Sequence, residues 1–464
     1  MRILLTGATG FIGRALVPRL QRNGHSLVAW VRSDRRATAL LGADVDIVSS
    51  GAGQDALVAA LSGCAAVVNL SGEPLLGRRW TPTRRAVLRA SRVGVTSQLV
   101  AAIEAASPRP RVLVSGSAVG VYGDRGDEVL TESSPPREDF LSTLCQEWER
   151  SADAASSFGA RVVLLRTGVV LGREGGALAQ MLPPFMLGAG GPIGSGRQYF
   201  PWIHLHDLVN LIVAAIEDDR YRGPLNAVAP ETATSRTFAR ALGRAVHRPA
   251  FIPTPALALR AIFGDAAVVL LASQRIEPEV ARRLGFRWEF PTLDSALRDI
   301  IDGPPVEITR TRPPSPAKFL LRTTTVIHAP VDETFAFFSK PSNLGLITPK
   351  AMAFRIVGQV PYMGEGAVIT YKVKVGPLPI RWKTRIVTWE PGRFFADVQD
   401  SGPYALWRHE HTFTGDGART IMEDRVFYTP PAGPLAAVVN VLFVARNLRA
   451  IFKYRADIIR LRFG

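Results

Sequence analysis

An apolar run, Arg2 to Leu5, gives way to Thr6-Gly7-Ala8-Thr9-Gly10-Phe11-Ile12-Gly13, and then to a segment with apolar Phe11, Ile12, Ala15, Leu16 and Leu20. The run reads as a strand, and the spacing after it predicts a helix from about Phe11 to Arg22. Glycines at 7, 10 and 13 suit a tight turn, a close backbone approach to pyrophosphate, and close packing of helix on strand. The free N–H groups and positive dipole end of such a helix face the phosphates. This start therefore predicts a dinucleotide at the strand ends of a parallel sheet, with Thr6, Gly7, Thr9, Gly10, Phe11, Ile12 and Gly13 among its contacts.

The end of the second strand selects the dinucleotide, because a carboxylate there suits a free ribose 2′-OH and a cation suits a 2′-phosphate. Strand HSLVAWV is followed by Arg32-Ser33-Asp34-Arg35-Arg36. Arg32 falls at the discriminating position, Ser33 follows it, and Arg35 and Arg36 add positive field, which favours NADP(H). A solvated basic turn with Asp34 reaching the ribose is the alternative.

The runs AAVVNL, RVLVSG and RVVLLRTG continue the pattern, alternating with helical segments, as in a doubly wound Rossmann-type α/β fold. At Asp302 to Pro316 the chain becomes DGPPVEITRTRPPSP, where prolines fix φ and remove donors. The expected division is a nucleotide-binding domain over 1–302, an extended linker over 303–317, and a second domain over 318–464. Beyond the linker, VITYKVKV and YALWRHEHTF alternate with period 2, and an amphipathic run follows from about Pro434 to Arg462. Within it the stretch PLAAVVNVLFVA, interrupted by Arg446, is expected to be too short to span a bilayer. A composition of 47% hydrophobic and 21% charged residues suits a globular chain rather than a disordered one. Cys64 and Cys145 lie far apart with no CxxC or Cys/His spacing, so neither a disulfide framework nor a metal site is expected. Met1 leads directly into a strand, without the pattern of a signal peptide, which points to the cytoplasm.

TGATGFIG, VVNLSGEPL, SGSAVGVYGD, LRTGVVLG and YFPWIHLHDLV, in this order, resemble the extended short-chain dehydrogenase/reductases. RRWT, SRVGVTSQL, FLSTLCQEWE and QRIEPEVARRLGFRWEFPTLDSAL narrow the resemblance to an atypical, epimerase-like branch. The likeness covers about residues 1–300. It implies that Asn69, Leu70, Ser71, Gly72 and Glu73 line the cofactor, together with Ser115, that Ser117 holds the catalytic serine position, and that Arg166 to Gly168 lie near the nicotinamide.

One departure bears on mechanism. Ordinary members use a Tyr whose pKa is lowered by a Lys four residues on. Aligning CQEWE to that helix puts Leu141 and Cys145 in the two places, residues 124–160 contain no Tyr or Lys, and the first lysine in the chain is Lys318. A missing general acid or base costs about 10² to 10⁴ in rate. The substitutes on offer are Tyr122, Glu147, Glu149 and a polarised Cys145. His204 and His206 lack a third ligand, and Asp207 reads as a helix N-cap.

The segments APVDETFAFFSKPSNLGLITP and DSGPYALWRHEHTF resemble the START-like helix-grip (SRPBCC) ligand-binding superfamily, which implies an α+β domain with a cavity between a curved sheet and a long C-terminal helix. Period 2 places Trp407, His409, His411 and Phe413 on one face, a candidate lining for an apolar or lipid ligand. Residues 306–464 hold 22 Lys/Arg against 12 Asp/Glu. With Arg446, Arg449 and Lys453 on the final helix, this excess suggests weak association with anionic membranes. No groove-reading motif supports nucleic acid as a partner. Two functions fit: an NADP(H)-dependent epimerase-like oxidoreductase acting on a small molecule, or an NADP(H)-sensing regulator without turnover.

Overall fold

The computed structural model describes residues 1–41, 44–173, 175–302, 306–359, 361–375, 378–417, 419–431 and 433–463. Contacts divide the chain into two units, Met1–Ile301 and Asp302–Gly464.

The first unit is built on seven strands: β1 (Arg2–Thr6), β2 (Ser26–Val31), β3 (Val45–Ser49), β4 (Ala66–Asn69), β5 (Val112–Ala118), β6 (Arg161–Thr167) and β7 (Gly223–Ala227). They pair in the order β3-β2-β1-β4-β5-β6-β7, every pair parallel. Such a sheet is covered on both faces, which is why its strands are continuous apolar runs; Ile3, Leu4 and Leu5 are fully buried. Helix α1 (Phe11–Arg22) buries Ala15, Leu16, Val17 and Leu20, a stripe at helical spacing contributing about 1.5–3 kcal/mol for each large side chain. The chain winds outward from β1 to β3 and then returns to place β4 on β1's other side, so the crevice at the carboxyl ends of β1 and β4 is the switch point where such sheets bind ligands.

Helix α2 (Asp34–Leu41) follows β2, and α3 (Phe140–Asp153) lies between β5 and β6. Before β7 comes α4 (Leu205–Glu217), where the sequence expectation needs correction. His204, not Asp207, is the N-cap, its Nδ1 accepting from the His206 N–H. Asp207 is buried within the first turn and accepts the N–H groups of Glu289 and Phe290 at 2.8 and 3.1 Å. Its carboxylate closes a loop distant in sequence, a role that no local pattern announces.

The second unit is an eight-stranded antiparallel sheet: β8 (Val306–Arg310), β9 (Phe319–Ile327), β10 (Arg355–Ile356), β11 (Val368–Val375), β12 (Leu378–Glu390), β13 (Phe394–Ser401), β14 (Leu406–Asp416) and β15 (Arg419–Thr429). The order is β8-β9-β15-β14-β13-β12-β11-β10. Strand β8 lies inside the stretch expected to be a linker. Val306 to Arg310 pair with Thr323 to Phe319, because VEITR carries β-branched residues and no proline, and the prolines flank it in sequence, Pro304 and Pro305 before and Pro313, Pro314 and Pro316 after. Residues 303–305 lie outside those described.

The terminal helix α5 (Ala445–Phe463) packs Leu448 and Phe452 against Phe319, Leu321, Val426 and Tyr428. The expectation for the run before it is corrected twice. Helical structure passes through Arg446, and Gly433–Ile459 is long and apolar enough, by length and composition, to cross a membrane. Leu442 and Phe443, on the helical run that the START-like resemblance sets against a cavity, are 60% and 64% exposed, alongside exposed Leu435, Val438 and Val441.

Candidate functional site

The turn after β1 has the shape that its glycines promise. Gly7 has φ +68°, and a Cβ there would lie 2.7 Å from the Leu70 carbonyl oxygen; one at Gly13 would lie 2.3 Å from the Gly7 oxygen. The Gly10 N–H donates to the Gly7 carbonyl at 2.9 Å. Gly10 caps α1 without a side chain, leaving the helix start to an external acceptor. Phe11 turns toward the loop after β6, where a Cβ at Gly172 or Gly175 would meet its ring at 2.7 and 2.6 Å. Behind the turn, Thr6 Oγ1 donates to Asn69 Oδ1 at 2.7 Å, and Asn69 Nδ2 donates to Thr96 Oγ1 at 2.7 Å and Ser115 Oγ at 3.4 Å. Asn69 and Ser115 are buried struts that fix the strand ends; Thr9, Ile12, Leu70 and Ser71 are half-buried around the crevice. These residues fit a pyrophosphate: the backbone is bare where it must approach, and the helix start is uncapped.

At the other end of the crevice, Arg32 is 88% exposed, with Nη1 donating to Glu73 Oε1 at 3.2 Å, while Arg84 lies 3.5 Å from Glu73 Oε2. Asp34 opens α2 and Ser33 accepts the Ala37 N–H, so Asp34 belongs to a helix start. The Arg36 side chain lies outside the described residues. Gly72 is covered by Arg92, which donates to the Glu73 carbonyl at 2.9 Å.

Toward the carboxyl ends of β5, β6 and β7, five side chains form one buried network. Ser117 Oγ donates to Glu149 Oε1 at 2.6 Å; Arg166 grips the same carboxylate through Nε and Nη2, both at 2.8 Å. Arg166 Nη1 also donates to Tyr122 Oη at 2.9 Å, and Tyr122 donates to Asn226 Oδ1 at 2.7 Å. Burial would lower the Arg166 pKa, but the hydrogen bonds and charge of Glu149 outweigh it and hold the guanidinium above its ordinary value. Burial raises the Tyr122 phenol despite Arg166. The Cys145 thiol is pushed up to about 12 by burial and then by Glu149, which disfavours a thiolate at this position. Glu147 points elsewhere, pairing with Arg89 at 2.7 Å. Glu149 was one substitute among several in the sequence, and its contact with Ser117 was not legible there; the signal that could have favoured it over Glu147 is that Glu149 shares the stripe of Leu141 and Cys145, at i, i+4 and i+8 on α3.

In the second unit, His409, His411 and Phe413 are buried and Trp407 is half-buried. The His409 and His411 rings lie 3.9 Å apart, and Phe395 lies 4.2 Å from His411. The sequence did not anticipate their charged partners. Asp424 lies 3.0 Å from His409 Nε2, 2.8 Å from His411 Nδ1 and 3.3 Å from Arg455 Nη2. Burial pushes the Asp424 carboxyl up, but Arg455 and the imidazoles hold it well below its usual range.

Residues 3–226 match the NAD dependent epimerase/dehydratase family, and residues 254–300 match a domain of unknown function, DUF1731. The chloroplastic SDR39U1 homolog of Arabidopsis thaliana, an epimerase family protein, is 42% identical over 303 residues, covering 65% of this chain and 87% of that protein. The crystal structure of human epimerase family protein SDR39U1 (isoform2) with NADPH matches with a TM-score of 0.59 at 39% identity, covering 65% of this chain and 99% of that one. A nucleoside-diphosphate sugar epimerase from Corynebacterium glutamicum matches with a TM-score of 0.51 at 31% identity, over 65% of this chain and 58% of that one. With the glycine turn, the strand order and these relatives in agreement, the chain belongs to the epimerase family, as an SDR39U1-like member.

Proposed function

We propose that the first unit is an NADP(H)-dependent oxidoreductase of cytoplasmic small-molecule metabolism, in which Ser117 and Glu149 take over the proton handling of the absent Tyr/Lys pair. The observation that carries this reading is the 2.6 Å hydrogen bond from Ser117 Oγ to Glu149, with Arg166 fixing the carboxylate. The nicotinamide supplies or receives a hydride when bound. In the oxidative direction Ser117 Oγ takes the proton of a substrate hydroxyl and passes its own to Glu149; in the reductive direction the proton returns by the same path. Tyr122, with its hydroxyl engaged by Arg166 and Asn226, is a positioning residue. Arg32 exchanges its contact with Glu73 for the 2′-phosphate. The second unit, read as a START-like helix-grip domain, holds or delivers an apolar substrate over the face of Trp407, His409, His411 and Phe413.

The test is NADPH oxidation over a panel of carbonyl compounds, nucleotide sugars included, by wild type, Ser117→Ala and Glu149→Gln. Turnover should fall about 10² to 10⁴-fold in both variants, with NADPH affinity retained. Turnover unchanged by either substitution would move the proton transfer elsewhere. The occupied hydroxyl of Tyr122 and the inert Cys145 favour the second reading, an NADP(H) sensor; tight NADPH binding with no turnover of any panel member would establish it.

A further inference from the structure

We infer that the second unit carries a divalent transition-metal site formed by His409 Nδ1, His411 Nε2 and Asp397. In the antiparallel register His409 on β14 stands opposite Asp397 on β13, and His411 stands opposite Asp424 on β15. Two imidazoles and two carboxylates therefore share one face of three adjacent strands, with Arg455 of α5 against them.

Asp424 Oδ1 meets His409 Nε2 at 3.0 Å and His411 Nδ1 at 2.8 Å. A carboxylate can only accept, so His409 turns its Nε2–H to Asp424; His411 Nδ1 stands 2.8 Å from Asp424 and 3.2 Å from the donor Arg455 Nη2, the shorter contact giving it the N–H as well, and in a neutral ring the opposite nitrogen is left as a lone pair. Those opposite nitrogens, His409 Nδ1 and His411 Nε2, each lie 3.9 Å from Asp397 Oδ2. All three atoms fall within 4.8 Å of one another. That spacing is too long for a hydrogen bond, and it turns three acceptors toward one point. Charge leaves room for a cation, since Arg455 pairs with Asp424 and acts on Asp397, together with Arg408, through its field.

A cation at the point of convergence resolves the conflict among these acceptors. Two imidazole nitrogens and one carboxylate oxygen are the donor set of catalytic zinc sites and of facial-triad iron sites, which leave at least one position for water or substrate. With bonds of about 2.0–2.2 Å, the three ligands would close by roughly half an ångström around the ion. Asp424 is then the outer carboxylate that fixes both ring tautomers. The Asp397 side chain retains 16% exposure, against 10% and 6% for the histidines, so the carboxylate marks the open side of the site.

The experiment uses full-length, untagged protein, stripped with a chelator and titrated with Zn²⁺ by calorimetry and with Co²⁺ by visible absorption. One equivalent should bind per chain, Co²⁺ should give the spectrum of a nitrogen- and oxygen-ligated ion, and Zn²⁺ should raise the thermal midpoint. Asp397→Asn, which keeps size and shape, and His411→Gln should weaken binding at least tenfold and abolish the midpoint shift. Asp424→Asn should cost about 10 to 100-fold in affinity. Near-ultraviolet circular dichroism, to which Trp382, Trp389 and Trp407 of this unit contribute alongside the tryptophans of the first, compared before and after each substitution, separates loss of the site from loss of the fold. Failure of the wild type to bind one equivalent, or equal binding by well-folded Asp397→Asn, would overturn the proposal and leave the cluster a polar network neutralised by protons.

Discussion

Gly10 and Cys145 set opposite limits on substitution in the nucleotide-binding unit. A branched side chain at Gly10 would enter the space through which a pyrophosphate reaches the turn, so Gly10→Val should abolish binding of both NADPH and NADH; retained binding would show that the turn is not the site. Cys145 is restrained by its surroundings instead. Its folded pKa is raised, so the thiol contributes stability that is intact below the unfolded value near 9 and is lost as pH rises through about 12. Iodoacetamide at pH 8 should therefore label Cys145 only after unfolding, and labelling of native protein at the unfolded rate would contradict the buried placement. The glycines and Arg32 were legible because a turn and a strand end are local patterns. The Ser117–Glu149 contact was not, because 32 residues separate its partners and only the packing of α3 against β5 joins them. Asp397 and Asp424 were hidden for the same reason: each meets the histidines from a neighbouring strand.

Periodicity gave α1 and the long strands to within a residue or two, since a helix stripe and a two-residue alternation leave few alternatives. It misread β8, where nearby prolines masked a five-residue strand, and it ended the apolar stretch of the terminal helix at Arg446, although the helical segment Gly433–Ile459 is long and apolar enough to cross a membrane by length and composition. The terminal helix also supports a prediction. Arg446 and Arg449 are exposed close to exposed Val441, Leu442 and Phe443, so this face presents cations beside apolar side chains. At about 1 kcal/mol per cation near an anionic surface, association should be weak and salt-sensitive. Co-sedimentation with anionic vesicles at low salt should be lost in Arg446→Gln/Arg449→Gln and absent with neutral vesicles. Equal recovery in the supernatant with both vesicle types would show that the face keeps to water.

For the molecule as a whole, the parallel sheet of Met1–Ile301 and the antiparallel sheet of Asp302–Gly464 each carry their own buried cores. Because β8 belongs to the second sheet, the cut that should leave the first unit intact falls at Asp302 rather than within the prolines. A chain ending there should fold and bind NADPH as the full protein does; aggregation would show that the second unit completes the first one's core. The central claim is that the glycine turn and Arg32 together make an NADP(H) site, and parallel titration of the full protein with NADPH and NADH tests it most directly. A charge-assisted contact of Arg32 with the 2′-phosphate contributes roughly 1.5–3 kcal/mol, so NADPH should bind at least about tenfold more tightly, and Arg32→Asp should remove or reverse that preference. Superimposable wild-type curves for the two nucleotides would contradict the account.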